Sequence, residues 1–144
     1  MIAVDTNLLV YAHRTEHDWN ERAAELMREL AEGGAAWGIP WQCIGEFFGL
    51  VTHPNIYKPP TPAAVAFAQI EAWLSSPRVL LLSERDMPWS ELRRLLEAGR
   101  IVGPRTHDAR IAAVCISHGV RELWTADRDF GRFPSLATRN PLAG

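Results

Sequence analysis

Short apolar runs alternate with segments of helical period along this chain, and two of those runs end on an aspartate. Ile2-Ala-Val4 stops at Asp5, and Leu123-Trp-Thr-Ala126 stops at Asp127. Runs of this length, rich in branched and aromatic residues, read as buried strands. Ala35 to Ile39 and Val79 to Leu82 read as two more, with a weak fifth at Ala137 to Arg139. Between them, Asp18 to Leu30 places Trp19, Ala23, Leu26, Met27 and Leu30 on one helical face. Asp18 and Glu21 suit a capping box, and Gly33-Gly34 a stop. Pro40 opens a helix reaching Val51, and Thr61-Pro62 supply the cap and first position of another reaching Leu74. Ser90 to Ala98 and Thr106 to Ser117 complete the helices, and His53 to Pro60 is a loop. Strands separated by helices predict an α/β fold with a central, mainly parallel sheet of four or five strands, covered on both faces. The Asp5 and Asp127 strands are expected to be neighbours.

Nothing in the chain suggests a linker, a repeat or a second domain, so residues 1–144 are expected to form one unit. With 144 residues, 47% of them hydrophobic, it buries enough surface to need no disulfide or metal staple. Cys43 and Cys115 have no Cys-x-x-Cys spacing and suit free thiols of a reducing compartment. The longest apolar runs have six residues, against about 17–25 for a membrane span. The amino terminus lacks the basic and apolar regions of a secretory signal. A cytoplasmic protein with no membrane partner is expected.

In an open parallel sheet, ligands bind beyond the carboxyl ends of the strands. Asp5 and Asp127 both fall there, although a strand-ending Asp also serves as a turn residue or helix cap. Glu46 is the only charged residue from Trp41 to Thr52. An otherwise apolar helix has little reason to face bulk water, so Glu46 is expected to point into a polar cleft. Asp108 lies in the opening turns of its helix, where the dipole favours an acid, and that helix feeds the Asp127 strand. Four carboxylates in one cleft repel one another unless a cation neutralises them. Mg²⁺ and Mn²⁺ prefer carboxylate oxygen and water, and such a site suits hydrolysis of a phosphodiester. With those four acids set aside, 15 basic side chains face 13 acidic ones, a balance compatible with phosphate contact. Fourteen of the basic residues are Arg.

At these residues the chain resembles the PIN domains. The resemblance rests on the four acids in this order, on Asp5-Thr6-Asn7 at the start, and on Thr125-Ala-Asp127-Arg-Asp129-Phe130 near the end. The Glu46 helix followed by His53-Pro54 and a proline-rich loop, together with Asp108-Ala-Arg-Ile-Ala112, resembles the VapC-type toxins of bacterial toxin–antitoxin pairs. The resemblance spans nearly the whole chain. It implies a three-layer α/β/α sandwich and a Mg²⁺-dependent endoribonuclease, with Mn²⁺ as a substitute. A homodimer held inactive by a small cognate antitoxin is implied as well. Asp5, Glu46, Asp108 and Asp127 match the family's metal-binding acids. Thr6, Asn7 and Thr125 match its supporting polar positions, and Asp129 its common extra acid.

Two other readings stay open at this point. One is a catalytically idle module of the same fold that acts through protein partners. The other is a metal-free ribonuclease built on histidines, for which His13 and His17 have i, i+4 spacing. His107-Asp108 by itself suits helical metal phosphohydrolases, whose fold leaves the strand-ending acids unexplained. The six tryptophans, Trp19, Trp37, Trp41, Trp73, Trp89 and Trp124, sit at apolar-periodic positions and are expected in the core rather than on nucleic acid.

Overall fold

A computed structural model describes residues 1–143. Five strands form one sheet: β1 (Ile2–Val4), β2 (Trp37–Pro40), β3 (Val79–Leu82), β4 (Glu122–Trp124) and β5 (Thr138–Arg139). Their spatial order is β3-β2-β1-β4-β5, and every pairing is parallel. Six α-helices connect them: α1 (Thr6–His13), α2 (Asn20–Glu32), α3 (Trp41–Val51), α4 (Ala63–Leu74), α5 (Trp89–Ala98) and α6 (Thr106–Ser117). Helix α1 packs on α2 and α3, α3 on α4, and α5 on α6. This is the expected α/β sandwich.

The strand order reverses at β1. From β1 the chain builds outward through β2 and β3, then returns to lay β4 on the other side. A crevice opens beyond the strand ends at such a switch point. Val4 pairs with Trp124 in register, and the Asp5 amide donates to the Trp124 carbonyl (3.0 Å). Asp5 and Thr125 therefore leave the sheet side by side.

Several local expectations need correction. Strand β4 stops at Trp124, so Asp127 does not end it but caps the short turn Arg128–Arg132, its carboxylate accepting from the Asp129 amide. Helix α1 follows directly on Asp5, where no helix is anticipated. Its residues Leu8, Leu9 and Val10 are consecutive and all buried, so the apolar positions show no helical period. Helix α2 starts at Asn20 without a side-chain cap, so the Asp18–Glu21 capping box does not form. The Asn20 side chain instead donates from Nδ2 to the Tyr11 and Ala12 carbonyls (2.8 and 3.2 Å), which satisfies the otherwise free end of α1. Thr61 does not cap α4 either, because its hydroxyl is engaged by Arg14 and His13. Of the six tryptophans, only Trp37, Trp73 and Trp124 are buried; Trp19, Trp41 and Trp89 are exposed. No helix among the described residues is long and apolar enough to cross a membrane.

Candidate active site

Asp5 ends β1 and begins α1, and this double position fixes its carboxylate. Oδ1 accepts from the Thr6 amide (2.8 Å) as an N-cap, which orients the group at the helix N-terminus. Oδ2 accepts from the Thr125 hydroxyl (2.8 Å). Thr125 is a hub: its oxygen also accepts from Asn7 Nδ2 (3.3 Å) and from the Asp127 amide (3.0 Å). One donated and two accepted bonds use the full capacity of a hydroxyl. Asn7 completes the clamp, with Oδ1 accepting from the Ala126 amide (3.2 Å). Asp5, Thr6, Asn7, Thr125 and Asp127 thus form one hydrogen-bonded unit across the β1–β4 seam.

Glu46 comes from α3. Its Oε1 accepts from the Thr6 hydroxyl (2.5 Å), so the expectation that it faces a polar cleft is met. Asp108 comes from the first turn of α6. The two helices are tied together through Glu84, whose Oε1 accepts from Gln42 of α3 (2.8 Å) and from Arg110 of α6. Asp5, Glu46, Asp108 and Asp127 all line a single cavity of about 310 Å³.

These acids and two neighbouring residues fall into two sets, each with its ligand atoms inside 4.8 Å of one another: Asp5 and Glu46 with Cys43, and Asp108 and Asp127 with Asp129. The Glu46 charge acts on both sets, since it raises the affinity of Asp5 and of Asp108 for a proton. Burial pushes the Asp5 carboxyl up to about 6, against the opposing hydrogen bonds from Thr125 and Thr6. Asp108 is raised as well, by burial first and by the Asp127 charge second. Asp129 pairs with Arg105 (3.2 Å). No Arg, Lys or His pairs with Asp5, Asp108 or Asp127 among the described residues.

Two residues at the site escape the sequence reading. Cys43 Sγ lies 3.5 Å from Asp5 Oδ1, and the signal for it was its i, i+3 spacing to Glu46 on one helix. Burial pushes its thiol well above the usual range, so it donates to Asp5 as a neutral S–H and is a poor metal ligand. His107 Nε2 lies 3.1 Å from Glu46 Oε2 but out of hydrogen-bond alignment. His13 and His17 do not form a pair: His13 bonds to Gln69 and Thr61, and His17 to Tyr57.

The donor set that remains is oxygen only and carries several unneutralised carboxylates. That chemistry fits a hard divalent cation and disfavours the softer thiolate-seeking metals. A parallel α/β sheet with an acid-lined crevice at its switch point is an arrangement that could hold a cation. Residues 2–136 match the model of the PIN domain, and this chain belongs to that family. It is 31% identical to ribonuclease VapC43 of Mycobacterium tuberculosis over 144 residues, covering 100% of this chain and 97% of the relative. Two solved structures share the fold. VapBC2 from Rickettsia felis, bound to a DNA fragment from their promoter, gives a TM-score of 0.67 at 22% identity, covering 96% of this chain and 98% of that one. FitAcB from Neisseria gonorrhoeae gives 0.69 at 19% identity, with both chains fully covered.

Proposed function

We propose that this protein is a divalent-cation-dependent endoribonuclease and the toxin of a toxin–antitoxin pair, with residues 1–144 acting as one nuclease domain in the cytoplasm. The observation that carries the reading is the cavity lined by four carboxylates at the sheet's switch point, in a chain related end to end to a VapC ribonuclease. Asp5, Glu46, Asp108 and Asp127 would hold Mg²⁺, or Mn²⁺ in its place, with Asp129 beside them. A bound cation lowers the pKa of water and offsets phosphate charge, the two needs of phosphodiester hydrolysis at neutral pH. Thr6, Asn7 and Thr125 orient the carboxylates so that little reorganisation accompanies the reaction.

A cognate antitoxin and a second copy of the chain are the expected protein partners. Trp41 on α3, and Val65 and Phe67 on α4, are about half exposed, and large exposed apolar side chains on packed helices suit a protein partner. An antitoxin Arg is a suitable plug for the free carboxylates.

Chelation tests the function. Cleavage of single-stranded RNA by the purified protein is expected to stop in EDTA and to return with excess Mg²⁺ or Mn²⁺. Cleavage that persists in EDTA would contradict the proposal and favour a metal-free mechanism.

A further inference from the structure

The cavity that holds the carboxylates has a second wall made of rings. Tyr11, His17 and Tyr57 line it with Val10 and Leu50. Tyr11 meets His17 edge to face, with centroids 4.9 Å apart and planes at 72°. His17 meets Tyr57 the same way at 5.8 Å and 84°, and His17 Nε2 shares a hydrogen bond with the Tyr57 hydroxyl (2.9 Å).

This wall is held in advance. Tyr57 belongs to the stretch 52–62, which contains four prolines. The Arg14 guanidinium lies 4.5 Å over its ring. Arg14 in turn bonds to the Thr61 hydroxyl and the Pro59 carbonyl (3.0 Å each) and pairs with Glu16 (2.7 Å). His13 adds a second hold on Thr61 (3.1 Å). A loop pinned at this many points presents a fixed surface, and a fixed surface binds without first being ordered.

If a phosphodiester is cleaved at the carboxylates, the groups beside it are riboses and bases. Of these, only a base has the flat apolar faces that suit an aromatic wall. We infer that Tyr11, His17 and Tyr57 form a subsite for one nucleobase next to the scissile phosphate. The rings provide the stacking surface for the base, and the His17–Tyr57 hydrogen bond helps to hold them in place. The inference rests on the ribonuclease reading and adds to it a residue set that governs which nucleotide flanks the cut.

Uncharged probes separate the subsite from the cation site. Adenosine, guanosine, cytidine and uridine, with ribose as the base-free control, are titrated into the ¹⁵N-labelled full-length protein in EDTA. At least one nucleoside is expected to shift the amide signals of Tyr57 and His17, ribose to leave them unmoved, and Tyr57→Ala to abolish the response. Tyr57→Phe keeps the ring and is expected to retain it, which guards against a folding defect in the alanine variant. In Mg²⁺, RNA with an abasic ribonucleotide beside the cleaved bond is expected to show a KM raised roughly 10- to 100-fold in the wild type. Nucleosides that shift nothing while RNA is still cut would overturn the subsite alone. Arginine amide moving these signals when nucleosides do not would also overturn it, in favour of a protein segment. RNA left uncut in Mg²⁺ would overturn the ribonuclease reading and the subsite with it.

Discussion

On the proposed mechanism, Asp5→Asn is expected to lower RNA cleavage by more than about 100-fold, because it removes a carboxylate assigned to the cation and already oriented by Thr6 and Thr125. Folding is expected to survive, and its pH dependence to change in a defined way. In the metal-free wild type, burial holds the Asp5 carboxyl at about 6 rather than 3.8. The folded state therefore prefers the neutral acid. Its stabilising contribution is complete below about pH 4 and is lost as pH rises through about 6. The shift corresponds to a loss of about 3 kcal/mol across that window. Asn cannot titrate, so this slope disappears from the variant. The substitution also has a cost of about 1 kcal/mol, since the Thr125 hydroxyl loses the acceptor it donates to. Above pH 7 without metal, Asp5→Asn is thus expected to be as stable as the wild type or more so. Urea melts at pH 4, 5, 6 and 7.5 in EDTA check this. A slope between pH 4 and 6 that is the same in both proteins would refute the account of Asp5.

Thr125→Val is expected to damage both stability and cleavage. Its hydroxyl serves Asp5, Asn7 and the Asp127 amide together, and valine leaves all three unpaired at a buried seam. Losing the donor to a buried carboxylate together with an acceptor for two N–H groups costs about 3 kcal/mol. Thr125→Ser keeps the hydroxyl and is expected to restore most of the activity. A further readout separates positioning from simple destabilisation. The Thr125 bond lowers the Asp5 pKa, so in the valine variant the loss of stability with pH is expected to move upward, beyond about 6. A serine variant as inactive as the valine one would show that the hydroxyl is not what matters.

The parts of this site legible in the sequence are those that a local pattern fixes. Asp5 is legible because a strand end shows as the last residue of an apolar run. Asp127 is legible only approximately: β4 stops at Trp124, so Thr125 stands beside Asp5 and Asp127 caps the turn that follows. Glu46 was readable because a lone acid in an apolar helix needs a polar environment. The hidden parts depend on distance in the chain. That Asn7 and Thr125 lock together across 118 residues follows only once β1 and β4 are known to be neighbours. Helix α1 was missed because it is too buried to show a period, and because Asp5 serves as strand end and helix cap at once. In the sequence His107 stands out only as the neighbour of Asp108, whereas the structure sets it against Glu46. Trp41 and Trp89 follow an apolar period yet face solvent, since periodicity locates an apolar face without saying what covers it.

On the proposed mechanism, the carboxylate cluster acts on water and not on the ribose. Analysis of the ends of cleaved RNA tests it directly. Hydrolysis by water activated at a cation site is expected to leave a 5′-phosphate on one fragment and a 3′-hydroxyl on the other. A 2′,3′-cyclic phosphate would show that the neighbouring 2′-hydroxyl is the nucleophile, and would contradict the account.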